Sequence, residues 1–364
     1  MADQKPGESG KIPMVSVVIL NWNGIDFLKE FMPGWVSTAS QASASGSLRA
    51  EVWLADNAST DESVSWARAQ HPEVKVLAMD ENRGFAGGYN HALDQIPGDY
   101  FVLLNQDVET TPGHDWISPL IAAFEEDPEL GAAQPKILAQ REKSSFEYAG
   151  AAGGYIDSLG YPFCRGRIFD SLEKDEGQYN SVKEIFWATG ACLFIRASLY
   201  KGLGGLHPEF FAHMEEIDLC WRVKRSGYRI ECHPSAQVYH VGGGSLDRGS
   251  PRKTYLNFRN NMRMLVMNLG GTELIWKLPL RWSLDLVAAF KDLLGGRASM
   301  ASAAFRGSSA IIPTIGHWLS ERKRSREAVE ANRIKADRSR QKGWYSGILI
   351  VDYFLKGKKK WSDL

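Results

Sequence analysis

Asn105 and Asp107 stand two residues apart just beyond the apolar run Tyr100 to Leu104. A carboxylate beside an amide oxygen at a strand end can hold a hard divalent cation bridging two phosphates, because such cations take oxygen ligands. The same pair can equally close a turn onto its own backbone. Asp56 follows another apolar run and precedes Asn57 and Ser59. A carboxylate there can accept a base N–H or a ribose hydroxyl, or it can serve the turn it begins. Glu215, Glu216 and Asp218 gather acids at the start of a helical stretch. Complementarity to the helix dipole alone accounts for acids in that place. Chemically, adjacent carboxylates raise one another's pKa, and one aimed at a hydroxyl can take its proton. Asp218 faces away from Glu216 and is spaced to pair with Arg222 at i+4. His240 closes the apolar stretch from Ala236, as a ligand or as a satisfied rim residue.

These residues need elements to hold them. Met14 to Leu20 is a β-branched run, the mark of a strand buried on both faces. A helical pattern runs to about Val36, and Gln41 to Ser47 reads as a loop. Glu51 to Ala55, Val74 to Met79 and Tyr100 to Leu104 repeat the strand signal with helical patterns between them. Ser59 and Glu62 form a plausible capping box for the second helix. This alternation specifies an α/β fold with a mostly parallel sheet and right-handed crossovers. In such sheets ligands bind beyond the carboxyl ends of the strands. Those ends carry Asn21 and Asn23, Asp56, Asn82 and Arg83, and Asn105 and Asp107, which together make a site. Gly84-x-x-Gly87-Gly88 offers half of a dinucleotide fingerprint, with Asp107 about twenty residues on. It follows the third strand rather than the first, whose own turn holds only Gly24, so a dehydrogenase is a distant reading.

Further along, Gly150 to Asn180 is Gly- and Tyr-rich and reads as a mobile excursion over the site. Tyr228 to Ile230 and Ala236 to His240 read as two closing strands, Gly242 to Ser245 as a flexible loop, and Lys253 to Val266 as a helix.

Taken in order, VSVVILNWNG, LADNASTDES, NRGFAGGYNHAL, LLNQDVE, TGACLFIRAS, FFAHMEEIDLCWRVKRSGYRI, VYHVGGGS and YLNFRNNMRML resemble a family 2 glycosyltransferase of the GT-A type. The resemblance spans roughly Val15 to Met264 and is strongest to the rhamnosyltransferase-like branch, which builds bacterial surface polysaccharides on lipid carriers. It implies a catalytic domain over 14–266, with a nucleotide-sugar half at 14–135 and an acceptor half at 136–266, followed by a helical extension at 267–364. By position it assigns Asp56 to the base and Asn21 and Arg83 to the neighbouring nucleotide pocket. Asn105 and Asp107 match the diphosphate–metal motif, with Asn where the family carries Asp. Mn²⁺ or Mg²⁺ would then rest on Asp107 and His240. Glu215 and Glu216 match the acidic pair whose second member is the base, here one methylene longer than Asp. Trp187, Gly190 and Ala191 match the acceptor wall. The implied reaction is an inverting transfer from a UDP- or dTDP-sugar to a polysaccharide or lipid-linked saccharide. The alternative suggested by Asn105 is a nucleotide-sugar-binding protein of the same fold with impaired turnover.

With 44% hydrophobic and 24% charged residues, the chain can bury a real core, which excludes global disorder. Its four cysteines form no CxxC pair, so reduced thiols in a cytosolic protein are expected. MADQKPGESGKIP has no apolar core, so no secretory leader is expected, nor any spanning helix. The formal charge of zero hides an asymmetry. From Leu274 onward there are 18 Lys/Arg against 8 Asp/Glu, a balance of +10 that leaves the body at −10. An acidic body disfavours nucleic acid as a partner. Trp276, Leu280, Trp282, Leu284 and Val287 beside Lys277 and Arg281 suit a helix in a membrane interface or one packed on the catalytic domain. Arg322 to Lys342 and Lys356 to Lys360 add cations that anionic lipid at the inner face of the plasma membrane would attract.

Overall fold

In a computed structural model, residues 11–242, 249–335 and 342–364 are described. Gly243, Gly244 and Ser245 of the expected flexible loop, and 336–341 of the basic stretch, lie outside the described residues. Four strands form the parallel part of the main sheet in the order β3, β2, β1, β4. They are β1 (Met14–Asn21), β2 (Arg49–Asp56), β3 (Lys75–Ala78) and β4 (Tyr100–Asn105), joined through helices α1 (Ile25–Ala44), α2 (Ser63–Gln70) and α3 (Gly84–Gln95). Alternate residues of β1 serve two cores, as strand pleating requires. Val15, Val17 and Ile19 pack with Leu28, Phe31, Met32 and Trp35 of α1, and with Leu120, Ile121 and Phe124 of α4 (Ser118–Glu126). Val18 packs on the other side with Ala86, Tyr89, Ala92 and Leu93 of α3.

Beyond β4 the sheet becomes mixed. β5 (Val108–Glu109) and β6 (Leu130–Ala139) follow, and β12 (Cys192–Arg196) runs antiparallel between β4 and β6. β13 (Arg229–His240) lies parallel to β6 and antiparallel to β5 and to β11 (Lys183–Glu184). Where two closing strands were expected there is one, interrupted by a register shift between His233 and Gln237.

Three further expectations are corrected. Gln41 to Ser47 is not all loop. α1 continues to Ala44, because Ala39 and Ala42 extend its buried stripe and Ser43 bonds back to the Ala39 carbonyl at 2.9 Å. The Ser59–Glu62 capping box does not form. α2 begins at Ser63, whose N–H is taken by Asp61 Oδ1 at 3.0 Å, while Ser59 turns toward Asp56. The Gly- and Tyr-rich stretch is a second sheet rather than a mobile excursion. It contains β7 (Gly154–Asp157), β8 (Pro162–Cys164), β9 (Arg167–Ile168), β10 (Ser171–Leu172) and, from the C-terminal segment, β14 (Trp344–Tyr345). Three of its aromatic residues are core: Tyr155, Phe163 and Tyr179 are buried.

Helix α5 (Ala197–Gly202) leads toward α6 (Glu215–Arg225), and α7 (Pro251–Asn268) packs on α6. The helical C-terminal region adds α8 (Gly271–Leu294), α9 (Ala298–Ser309) and α10 (Ile315–Ala331). All four cysteines are free and buried. Among the described residues no helix is long and apolar enough to cross a membrane.

Candidate active site

Parallel pairing of β1 and β2 sets Asn21 opposite Asp56 at the carboxyl ends of both strands. Both are buried, and Asp56 Oδ1 accepts from Asn21 Nδ2 at 2.8 Å and from the Ser59 hydroxyl at 2.6 Å. Its Oδ2 takes the Ser59 N–H at 2.9 Å. The carboxylate thus fixes the turn it begins and holds Asn21 in place. Next to it, Asn57 accepts the Arg83 N–H at 2.9 Å and donates to Asn82 at 3.0 Å, tying β2 to the start of α3. The Arg83 guanidinium reaches outward to Asp80 at 3.1 Å and Glu81 at 3.0 Å. The glycine-rich start of α3 does not form a phosphate cradle. The Phe85 N–H, which would have to face a pyrophosphate, donates to the Phe211 carbonyl at 3.0 Å. Gly84, at φ +68°, makes room for the Phe211 ring, which a Cβ would meet at 2.6 Å.

The other expected residues converge on one cavity of about 330 Å³, lined by Asn105, Asp107, Trp187, Gly190, Ala191, Glu215, Glu216 and His240. Asn21, Asp56 and Arg83 are not in its wall. They form the adjoining polar cluster, linked to the cavity because Leu20 registers with Asn105. Asn105 donates its N–H to the Ala191 carbonyl at 3.0 Å, which joins β4 to the far wall. Pairing of β5 with β13 sets His240 opposite Val108 and brings its Nε2 to 3.1 Å from Asp107 Oδ1. Glu147, which belongs to none of the sequence motifs, lies buried with Oε1 3.4 Å from His240 Nδ1. Burial pulls the imidazole pKa down, but the Asp107 and Glu147 carboxylates outweigh it and push it up to about 10.

Asp107 and His240 fit a divalent cation. A separation of 3.1 Å between the two donor atoms suits neighbouring ligands on an ion whose bonds are ~2.1 Å long. No group of three or more His, Cys, Asp or Glu suited to a metal occurs among the described residues.

The acidic pair is aimed by strain. Phe211, His213 and Met214, none of them glycine, have φ of 66°, 70° and 74°, and Met214 is the N-cap of α6. Such backbone costs about 1–3 kcal/mol per residue and persists only where the surroundings enforce it. Asn260 of α7, fully buried, does the enforcing. Its Nδ2 lies 2.9, 2.8 and 2.8 Å from the carbonyls of Phe210, Ala212 and His213. Asp218 is structural, pairing with Arg222 at 2.7 Å and accepting from Asn268 at 2.6 Å. Glu215 and Glu216 each leave a buried Oε2 without a hydrogen bond. Burial and the neighbouring Glu216 charge push Glu215 well above the usual carboxylate range, and burial pushes Glu216 up to about 7. Gly190 lies across from Glu216, where a Cβ would meet Glu216 Cβ at 3.7 Å. Trp187 is pinned by its indole N–H to the Tyr155 carbonyl at 2.9 Å and offers the cavity an apolar face.

Asn260 gave no signal in the sequence beyond its place in YLNFRNNMRML, because its partners are backbone carbonyls some fifty residues away. Asn260→Ala is expected to lower kcat by about 10²-fold, as a misplacement of about 1 Å can do. The Glu216 carboxyl, pushed up to about 7 by burial, should fall toward the ordinary carboxylate value as the pair loses its fixed position. A loss confined to stability, with kcat and the pH profile intact, would leave Asn260 without a positioning role.

The mixed sheet with flanking helices and a helical C-terminal region has the GT-A fold. Its fold matches the mannosyltransferase PcManGT from Pyrobaculum calidifontis, solved with GDP-Man and Mn²⁺, at a TM-score of 0.50 and 17% identity. The match covers 89% of this chain and 88% of that one. The chain belongs to glycosyltransferase family 2: residues 16–202 match the model described as Glycosyl transferase family 2. It is 29% identical over 267 residues to the N-acetylglucosaminyl-diphospho-decaprenol L-rhamnosyltransferase of Mycobacterium tuberculosis, covering 68% of this chain and 84% of that protein. It is 25% identical over 224 residues to the low-salt glycan biosynthesis hexosyltransferase Agl10 of Haloferax volcanii, covering 60% of this chain and 67% of that one.

Proposed function

We propose that this glycosyltransferase moves a sugar, with rhamnose the first candidate, from a UDP- or dTDP-sugar to a lipid-linked saccharide or polysaccharide, inverting the anomeric centre. The observation that carries the reading is Glu216. It lines the same cavity as Asp107 and His240, keeps one buried oxygen without a hydrogen bond, and is pushed up to about 7 by burial. The rhamnosyltransferase relative is named for a lipid diphosphate acceptor, which supports the acceptor class. In this reading residues 14–135 hold the donor, 136–266 the acceptor, and 267–364 meet anionic membrane at the inner face of the plasma membrane.

Asp56 and Asn21 shape the pocket for the base, and Asn105 lies beside the diphosphate. Trp187 presents an apolar face to the acceptor ring, and Gly190 lets it approach the backbone. Glu216 takes the proton of the acceptor hydroxyl as that oxygen attacks the anomeric carbon from the face opposite the leaving nucleoside diphosphate. Glu215, more deeply buried, is held well above the usual carboxylate range by burial and the Glu216 charge, which leaves Glu216 as the base. Mn²⁺ or Mg²⁺ held by Asp107 and His240 would neutralise charge on the diphosphate as a Lewis acid.

The test is a panel of nucleotide sugars with Mn²⁺ or Mg²⁺, scored for nucleoside diphosphate release with and without a diphospho-lipid N-acetylglucosamine acceptor. One donor should give release that acceptor accelerates, with the sugar found on the lipid. Tight UDP or dTDP binding without turnover of any donor would favour the impaired binding protein instead.

A further inference from the structure

Helix α8 is built inside out. The residues it buries against the protein are Lys277, Arg281, Asp285 and Ala289. Those it turns to solvent include Ile275 (77% exposed), Trp276, Val287, Phe290 and Leu294 (74% exposed). At 3.6 residues per turn, these and Leu280 fall within one arc of about 140°. A surface helix in water normally shows the reverse arrangement.

The polar side is fully used by the protein. Arg281 Nε donates to Asp285 Oδ1 at 3.0 Å, and the guanidinium lies 3.4 Å from the centre of the Tyr161 ring. Asp285 Oδ2 accepts from the Ser308 hydroxyl of α9 at 2.8 Å, and Lys277 donates to Glu273 at 2.6 Å. The apolar side continues past the end of the helix. Lys291 Nζ lies 4.8 Å from the Phe354 ring, so the turn Val351–Leu355 adjoins α8, and it adds Phe354 and Leu355, the latter 80% exposed. Lysines at 356, 358, 359 and 360 follow directly.

We infer that α8 and the turn Val351–Leu355 form a single face that lies in the interface of an anionic lipid bilayer. Charge decides the occupant. The acids bordering the face are already paired, Glu273 with Lys277, Asp292 with Arg297, and Asp352 with Lys356 and Lys358. A second copy meeting the same face would bring Lys359 and Lys360 only carboxylates that are already paired, whereas each anionic lipid brings a phosphate charge of its own. Tryptophan, phenylalanine and leucine beside lysine are the composition of a helix lying at the headgroup boundary. The buried side of the same helix braces the turn at Gly160 and Tyr161, and the next residues, Pro162, Phe163 and Cys164, line the cavity. The bilayer face thus lies behind the wall of the cavity assigned to acceptor, and its benefit to catalysis rests on the lipid-linked acceptor reading.

The test is flotation of the full chain with phosphatidylcholine vesicles, with and without roughly one-third phosphatidylglycerol. The protein should float with the anionic vesicles and not with the neutral ones, and added salt should weaken the binding. The triple variant Val287→Ser, Phe290→Ser, Leu294→Ser removes only exposed side chains. It should reduce vesicle partition about tenfold or more while leaving donor hydrolysis in vesicle-free buffer unchanged. Equal flotation of the variant, or no flotation of the wild type, would overturn the inference. So would a wild-type dimer that the variant converts to monomer, which would make the face a contact between copies. Donor release measured without vesicles keeps the two readings apart: its absence counts against the proposed function, and absence of flotation against the membrane face.

Discussion

Glu216→Gln is expected to abolish most transfer, lowering kcat by roughly 10²–10⁴-fold, the range a positioned general base contributes. The substitution keeps the shape of the side chain and removes only its capacity to take a proton, so donor and nucleotide affinities should hold. The pH profile carries the sharper test. A base must be deprotonated to act, and burial pushes Glu216 up to about 7. Wild-type kcat should therefore climb with pH through about 7 and level above it, and the residual rate of the variant should lose that limb. Stability moves the other way. A carboxyl whose folded pKa lies above its unfolded value of 4.5 favours folding while it is protonated. That advantage is full below the unfolded pKa and is lost as pH rises through the folded one. At pH 8 the wild type holds a buried carboxylate that glutamine spares it, so the variant's Tm should equal or exceed that of the wild type. Full activity with an unchanged profile would remove Glu216 from the mechanism. Glu215→Gln gives the contrast: burial and the Glu216 charge hold Glu215 well above the usual carboxylate range, so its replacement should leave the limb near 7 in place.

The parts of this site that the sequence announced are those that depend on chain-local pattern. Val15 to Ile19 is legible as a strand because both faces are buried, and Asn21, Asp56 and Asn105 follow from where such strands stop. What brings Asp107 to His240 is pairing of the two-residue β5 with β13 across 133 positions, and no periodicity encodes that. Glu147 went unseen because it sits in an irregular stretch with nothing around it to suggest a carboxylate facing an imidazole. The small sheet was hidden by strands of two to four residues separated by glycine turns, too short for alternation to register. α8 is a different case. Its apolar stripe was readable, but the pattern does not say which side faces the protein. That was decided by Arg281 and Asp285 finding Tyr161 and Ser308 inside.

Asp107→Asn should separate a cation site from a mere ion pair. As the only carboxylate of the Asn105–Asp107 motif, Asp107 supplies the one negative charge that strand end can give a cation. Its loss is expected to lower nucleoside diphosphate release by about 10²–10³-fold, comparable to removal of a main electrostatic stabiliser of developing charge. Mn²⁺ binding in the presence of UDP, read by electron paramagnetic resonance, should weaken in parallel, and raising Mn²⁺ should restore part of the rate. In metal-free buffer the same substitution acts through His240. Asp107 and Glu147 hold that imidazole up to about 10 against burial, so its favourable contribution is full below the unfolded pKa of 6.5 and lost as pH rises through about 10. The Tm deficit of Asp107→Asn relative to wild type should therefore be larger at pH 6 than at pH 9. Asn105→Asp runs the experiment in reverse. It adds the second carboxylate, and Mn²⁺ affinity should rise while Glu216 and its pH limb stay as they are. If Asp107→Asn kept its turnover and its Mn²⁺ affinity, Asp107 would be no more than the partner that keeps His240 charged, and the diphosphate would have to be neutralised elsewhere in the cavity.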